Sequence, residues 1–589
     1  MMYSREQVVV AARGDIPMDT VIRGVQLVNV FTAEIYTADI GIKEDVFAAV
    51  ARYTDNAPIF EIAGEKEIDG SGKFAVPGFI DCHVHIESTM VTPANFAKAL
   101  IERGTTTAVI DPHEIANVLG VDGVKYMIEA TKNLPIDILV TIPSAVPAVP
   151  GLETSGAVFG SDEIGMLLEE ERVIGIAEIM DYIGVINQSE RMTGIVEEGL
   201  KKGVYNEGHL PRTTGQNLDA YMSAGVDSDH ESRSTEEIVE KLRQGMCVYI
   251  RESSVSQFAD IAAEAWREVP YTTNLAMCTD DVEASDMYQG GQMNRVIRRC
   301  IEEGIPAPLA VRFATLNGAK RFNLRHRGGI GPGYIADFCL VNTLEDMDVT
   351  DVFTKGIHQV KGGKLINRIK TTTEILKEDT VKIPDIEVND FNISMPNGMD
   401  SVRINTIEMT PIGTTVKGVL EISAKNGIID KLPEGYVFAS VVGRHGQGLK
   451  PFVGVLKNAG LKTGAYATTL SHDSHNLVVV GTNAEDMYHA AKYLESSGGG
   501  LVLFDDGDVK AAIDLPVAGL MSDLPVETLA PAIINFNNIA IDMGVKVGRR
   551  APSMAMSSLA LTVIPEIRIS NLGLVDVNKQ QLLPLFVEG

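Results

Sequence analysis

Apolar positions recur along this chain at two periods. Residues 22–76, which include "IRGVQLVNVFTAEIYTADIGIKEDVFAAVA", alternate short apolar runs with turn signals. That pattern predicts short strands of a small sheet. It returns in "GGIGPGYIADFCLVN" (328–342) and "KGIHQVKGGKLIN" (355–367), so residues 1–75 and 321–367 are expected to build one composite β-domain. Between them lie eight strand-like runs: "FAVPGFIDCHVH", "TTTAVIDPH", "IDILVTIPS", "RVIGIAEIM", "GVYNEGH", "GVDSDH", "CVYIRES" and "NLAMCTDD". Stretches such as "TPANFAKALIERG" and "STEEIVEKLRQG" separate them and carry helical apolar spacing with a terminal glycine. Eight alternations predict a (β/α)8 barrel over residues 76–320, close to the roughly 250 residues such barrels use. Residues 368–392 show no useful apolar stripe and read as a connector. Residues 393–589 read as a C-terminal α+β domain, with strands in "EGYVFASVVGRHG" and a helix in "NAEDMYHAAKYLESSGGG".

Composition narrows the function classes. Lys plus Arg number 51 against 79 Asp plus Glu, a formal charge of -28, which repels nucleic acid and anionic lipid surfaces. Neither is an expected partner. Five widely spaced cysteines in apolar runs suit reduced thiols. With no signal-peptide pattern in "MMYSREQVVVAARGD" and no run of 18 apolar residues, the expected location is cytoplasmic.

Chemistry concentrates where the predicted strands end, the face on which such barrels carry their active sites. In order these ends offer His83 with His85, His113, Ser144, Glu178, His209, His230, Glu252, and Asp280 with Asp281. Residues two apart on a strand share a face, so His83 and His85 point the same way. A lone pair of this kind fits a packed or edge imidazole equally well. Together, His83, His85, Glu178, His209, His230 and Asp280 supply ligands for two divalent ions sharing the Glu178 carboxylate. For Glu178 the competing reading is a salt-bridged core residue. For His209 and His230 it is a loop or capping role.

Longer phrases carry a resemblance. "PGFIDCHVHIESTM", "DPHEIANVLG", "IPSAVPAVPGLETSGA", "CTDD", "VVGRHG", "TTLSHDSHNLVVVG" and "PVAGLMSDLP" together resemble the metal-dependent adenine deaminase family of the amidohydrolase superfamily, across nearly the whole chain. The resemblance implies a (β/α)8 TIM barrel, a flanking β-sandwich formed by the two separated segments, and a C-terminal α+β domain. It implies hydrolysis of adenine to hypoxanthine and ammonia in purine salvage, with two ions, Mn2+ or Fe2+ in preference to Zn2+. Some relatives bridge the ions with a carboxylated lysine, and no lysine stands at this strand end. The first acidic residue after the last strand is the superfamily's ligand, which favours Asp280 over Asp281.

Asp280, Glu178 and His230 are the expected catalytic residues, with Asp280 moving the proton. The proton donor to the ring is open: many relatives use a Glu past the fifth-strand His, whereas "HLPRTT" holds none, leaving Glu87, Glu114 and Glu252 as candidates. Ser88, His113, Glu114, Asn117 and Glu252 are candidate purine contacts or loop braces. His472, Asp473 and His475 in "SHDSHN" are candidates for a substrate-contacting lid, a further metal site or a core turn. Gly443 stands where the family commonly has an acidic residue, which leaves the adjoining Arg444 and His445 without an assigned role. A homodimer is the expected assembly. The competing functions are a cyclic-amide hydrolase of the same superfamily and a catalytically silent barrel.

Overall fold

The computed structural model describes residues 5–587 apart from 271–272, 371–372, 377–378, 411–413, 425–426 and 547–550. Four residues of the expected connector, 371–372 and 377–378, lie outside the described residues.

Strands from residues 18–77 and 338–365 join in one ten-stranded sheet, with Phe74–Pro77 pairing both Met18–Asn29 and Phe338–Val341. Phe47 and Phe338 lie four strand steps apart in that sheet. A flat sheet would separate them by about 19 Å, yet their ring centroids are 5.5 Å apart and Phe338 stacks on Phe353 at 4.4 Å. The sheet therefore curls onto itself around Ile22, Leu27, Ile40 and these rings. Its other face, through Val76, Cys339 and Val352, packs against the barrel.

All eight expected barrel strands form, from Phe79–Val84 to Leu275–Cys278, the sixth reduced to Ser228–Asp229. The first five make one parallel sheet and the last three another. The Val84–Asp280 bridge closes the ring, with the Asp280 N–H donating to the His83 carbonyl at 2.9 Å. Strands such as Phe79–Val84 and Thr105–Ile110 are buried throughout, because helices cover their outer faces. Local chemistry sets the helix ends: helix Glu190–Lys202 starts at Ser189, whose side chain accepts from the Met192 N–H, and stops at left-handed Gly203.

The C-terminal domain is built on an eight-stranded sheet whose central strands are buried on both faces, while its edge strands Thr415–Ser423 and Asp508–Asp514 are largely exposed. Ile404, Phe438, Val479 and Val502 face helix Ala484–Ser497, while Ile407, Val437, Val480 and Leu503 belong to a core continuous with the barrel's. Val381, Ile386 and Phe391, in the segment expected to be only a connector, are buried in the first of these cores. Among the described residues, no helix is long and apolar enough to cross a membrane.

Candidate active site

The first barrel strand turns its chemistry inward by a change of parity. Ile80 and Cys82 face the barrel interior, and a register shift between Asp81 and Val84 lets His83 and His85 face the same centre while Val84 packs outward. Irregularities of this kind re-aim side chains next to active sites. Glu178, ending the fourth strand, stands at the middle. One oxygen lies 3.4 Å from His85 Nε2 and 3.5 Å from His113 Nδ1. The other lies 2.7 Å from His209 Nδ1 and 3.2 Å from His230 Nε2.

Asp280 sits in left-handed backbone, φ +57°. Its Oδ1 is 3.1 Å from His85 Nε2 and 3.8 Å from His83 Nε2, while Oδ2 is 2.6 Å from the Arg251 guanidinium. Asp281 Oδ1 instead lies 2.6 Å from Ser88 Oγ. His85 Nδ1 donates to the Asp111 carbonyl at 3.0 Å, leaving Nε2 as its ligand atom. Asp111 also accepts from His113 Nδ1 at 3.0 Å.

Burial raises the proton affinity of Glu178, but the His209 hydrogen bond at 2.7 Å and the nearby imidazoles of His230 and His85 outweigh it and hold the carboxyl well below its ordinary value. Burial disfavours charge on His230, yet Glu178 raises its pKa to about 9. His85, facing Asp280 and Glu178, is likewise raised. In His83 burial and the neighbouring imidazoles prevail and lower it.

The donor set fits metal ions. His83 Nε2 and Asp111 Oδ1 are buried without a hydrogen-bond partner, and His230 Nε2 lies near Glu178 without the angle of a hydrogen bond. Such buried orphans are rare. Three sets lie within single-ion reach: His83, His230 and Asp280; Glu178, His209 and His230; and His85, Asp111, His113 and Glu178.

An adjoining cavity is lined by His85, His113, Glu178, Asp280 and, from the C-terminal domain, His472 and Asp473. His113 Nε2 is 3.4 Å from Asp473 Oδ1. Ser88 donates to Glu114, and Asn117 donates to the carbonyls of His113 and Ala145, so these residues brace the loop and do not line the cavity. His475 is buried against Glu114, also off the cavity. Ser144 donates to the Glu178 carbonyl at 2.9 Å. Glu252 departs from expectation: its Oε1 accepts from the Ala259 N–H at the start of a helix, outside the lining.

The cavity presents residues the strand-end reading passed over. Arg251 contacts both Asp280 and Glu231, and Arg233 reaches Glu231 at 2.6 Å. Burial would raise the Glu231 carboxyl, but the two guanidiniums hold it well below its ordinary range. Ser557, Ser558, Leu561 and Ile564 close the cavity from the C-terminal domain. Their one sequence signal is that residues 551–565 carry no charge in a strongly acidic chain.

Residues 74–358 match the amidohydrolase family, and residues 413–581 match the adenine deaminase C-terminal domain. The adenine deaminase of Clostridium acetobutylicum is 38% identical over 98% of this chain and 99% of its own length. That of Kosmotoga olearia is 37% identical over 98% of each, and that of Methanothrix thermoacetophila 37% identical over 99% of this chain and 100% of its own. The histidine–carboxylate centre, the C-terminal domain that closes its cavity and these full-length similarities place the chain in the adenine deaminase family.

Proposed function

We propose that the chain hydrolyses adenine to hypoxanthine and ammonia at the centre around Glu178. The observation that carries this reading is the convergence of His83, His85, His209, His230, Glu178 and Asp280 on one buried point, under a wall from a domain shared with the adenine deaminases. His83, His85, Glu178 and Asp280 would hold one ion and Glu178, His209 and His230 the second, with Mn2+ or Fe2+ suiting the imidazole and carboxylate donors. When bound, the two ions supply the Lewis acidity that makes water a nucleophile at neutral pH.

The chain's own groups do the rest. Met180, Val255, Leu561 and Ile564 give apolar walls for a flat ring, and Ser557, Ser558 and Arg233 give polar ones. Asp280 takes the proton from water as its oxygen bonds to C6 of the purine. The electron pair displaced onto ring nitrogen N1 takes up a proton. Asp280 returns its own proton to the exocyclic nitrogen, and the C6–N bond breaks to release ammonia. The C6 hydroxyl gives up its proton to solvent and becomes the carbonyl of hypoxanthine, which balances the solvent proton taken up at N1. Ionised Glu231 is an acceptor here, not the ring's proton donor.

Ammonia release from adenine by Mn2+-loaded protein, lost on chelation and restored by Mn2+, tests this directly. Turnover of dihydropyrimidines with none of adenine would favour the cyclic-amide reading. Two bound ions per chain with no turnover on either would favour a silent barrel. Purine salvage in the cytoplasm is the setting this reaction fits.

Arg251 orients Asp280 by holding Oδ2, which leaves Oδ1 toward His85. Arg251→Lys keeps the charge but loses the planar fork. The variant is expected to lose about 10–100-fold in kcat with KM for adenine and bound metal little changed. An equal rise in KM would assign Arg251 to substrate binding instead.

Metal uptake must also displace protons. His230, raised to about 9, is protonated below that value and must be neutral to ligate. Affinity for Mn2+ therefore rises as pH approaches 9. Calorimetry in buffers of different ionisation enthalpy should show proton release at pH 7, and a buffer-independent heat would contradict it.

A further inference from the structure

Beyond the centre around Glu178, buried groups at the seam between the barrel and the C-terminal domain lack partners. Glu114 opens the helix after the second barrel strand, and His472 and His475 belong to the loop after the C-terminal strand Ala465–Thr468. Their ligand atoms lie within 4.8 Å of one another, and all three residues are buried. Glu114 Oε2 and His475 Nε2 are 3.9 Å apart, and neither has a hydrogen-bond partner.

We propose that Glu114, His472 and His475 form a third divalent-cation site that pins the C-terminal domain to the barrel. A separation of 3.9 Å is too long for a hydrogen bond. It is what one shared ion allows, since two metal–ligand bonds of about 2.1 Å span at most about 4.2 Å. His475 Nδ1 is 3.2 Å from the Thr469 carbonyl, a contact that places the ring proton there and leaves the Nε2 lone pair toward Glu114. The Ser471 N–H approaches the same Nδ1 at the longer distance of 3.4 Å. The other oxygen of Glu114 accepts from Ser88 Oγ, the outer hydrogen bond that orients a ligating carboxylate.

Charge favours a cation. The ion-pair neighbour of Glu114 is an imidazole, not a lysine or arginine, and carboxylates of Glu87, Asp281 and Asp473 are close by. Arg444, a buried guanidinium facing His475, opposes it in part. None of the three belongs to the ligands assigned to the two barrel ions, although His472 also lies within reach of His113 and Asp473 at the wall of the same cavity, so the seam site adjoins the barrel centre without sharing its ligands. Two imidazoles and a carboxylate suit a first-row ion such as Zn2+ or Mn2+ over Ca2+ or Mg2+.

The test counts metal in full-length protein equilibrated with excess Mn2+ and desalted, together with anomalous scattering at the manganese edge from wild-type crystals. Three ions per wild-type chain are expected, falling to two in His475→Gln and Glu114→Gln, with a third anomalous peak between Glu114 and His475. His83→Ala should lose metal from the barrel centre while keeping that third peak. Two ions in the wild type, anomalous density confined to the barrel centre, or three ions retained by both seam variants would each overturn the proposal. Adenine turnover by a two-ion wild type would reject the third site alone and leave the deaminase reading intact.

Discussion

Glu178→Gln is expected to lower adenine turnover by about three orders of magnitude, the several kcal/mol that paired metal ions supply to such a hydrolysis. The reason lies in how its two oxygens divide the centre, one toward His85 and His113, the other toward His209 and His230. Gln fills the same space but carries no charge, and its NH2 presents donors where a cation needs an acceptor. One of the two groups of imidazoles thus loses its shared ligand whichever way the amide turns. Metal content should fall from two barrel ions to one or none, in step with ammonia release. A variant that kept both ions and stayed within tenfold of wild-type turnover would remove Glu178 from the bridging role.

Much of this centre is legible in the sequence because parallel barrels place chemistry at strand ends, and His83, His85, Glu178, His209, His230 and Asp280 sit at those ends in order. What strand-end reading misses follows from side-chain parity. In "CVYIRES" the carboxylate Glu252 looks like the functional end of the seventh strand, yet Cys247 and Tyr249 face the barrel interior. The same face then belongs to Arg251, and Glu252 points to the following helix. Glu231 is hidden for a related reason: it follows His230 directly, and strand alternation would send the two to opposite faces. The sixth strand ends at Asp229, so alternation no longer governs them. Residues 557–564, which wall the cavity, have no periodic signal because they form turns held by tertiary contacts, among them the His472 N–H donating to the Ser557 carbonyl at 2.8 Å.

Curvature escapes one-dimensional reading too. The two β segments are recognisable by their alternation, but the contact between Phe47 and Phe338 depends on the twist accumulated over four strand steps. The expected connector is misleading in another way. Val381, Ile386 and Phe391 are too far apart for a stripe, yet each fills a separate place in the C-terminal core.

Asp280→Asn should cost about 10²–10⁴-fold in kcat, the range for removing a positioned acid–base group. The substitution isolates the chemistry because Asn, like Asp, tolerates the left-handed backbone at φ +57°. The side chain can still receive Arg251 through its carbonyl oxygen, but it can no longer take a proton from water and return it to the departing nitrogen. KM for adenine should change little, and the ion held by Glu178, His209 and His230 should remain. Asp281→Asn is the matched control, since Asp281 is engaged by Ser88 Oγ at 2.6 Å and is turned from the histidines that Asp280 contacts. Its loss should stay below about tenfold, because it removes one acceptor from the cavity wall and no proton carrier. The two rates read as a ratio decide which carboxylate moves the proton. A deeper loss in Asp281→Asn than in Asp280→Asn would transfer that role to Asp281 and leave Asp280 as a ligand oriented by Arg251.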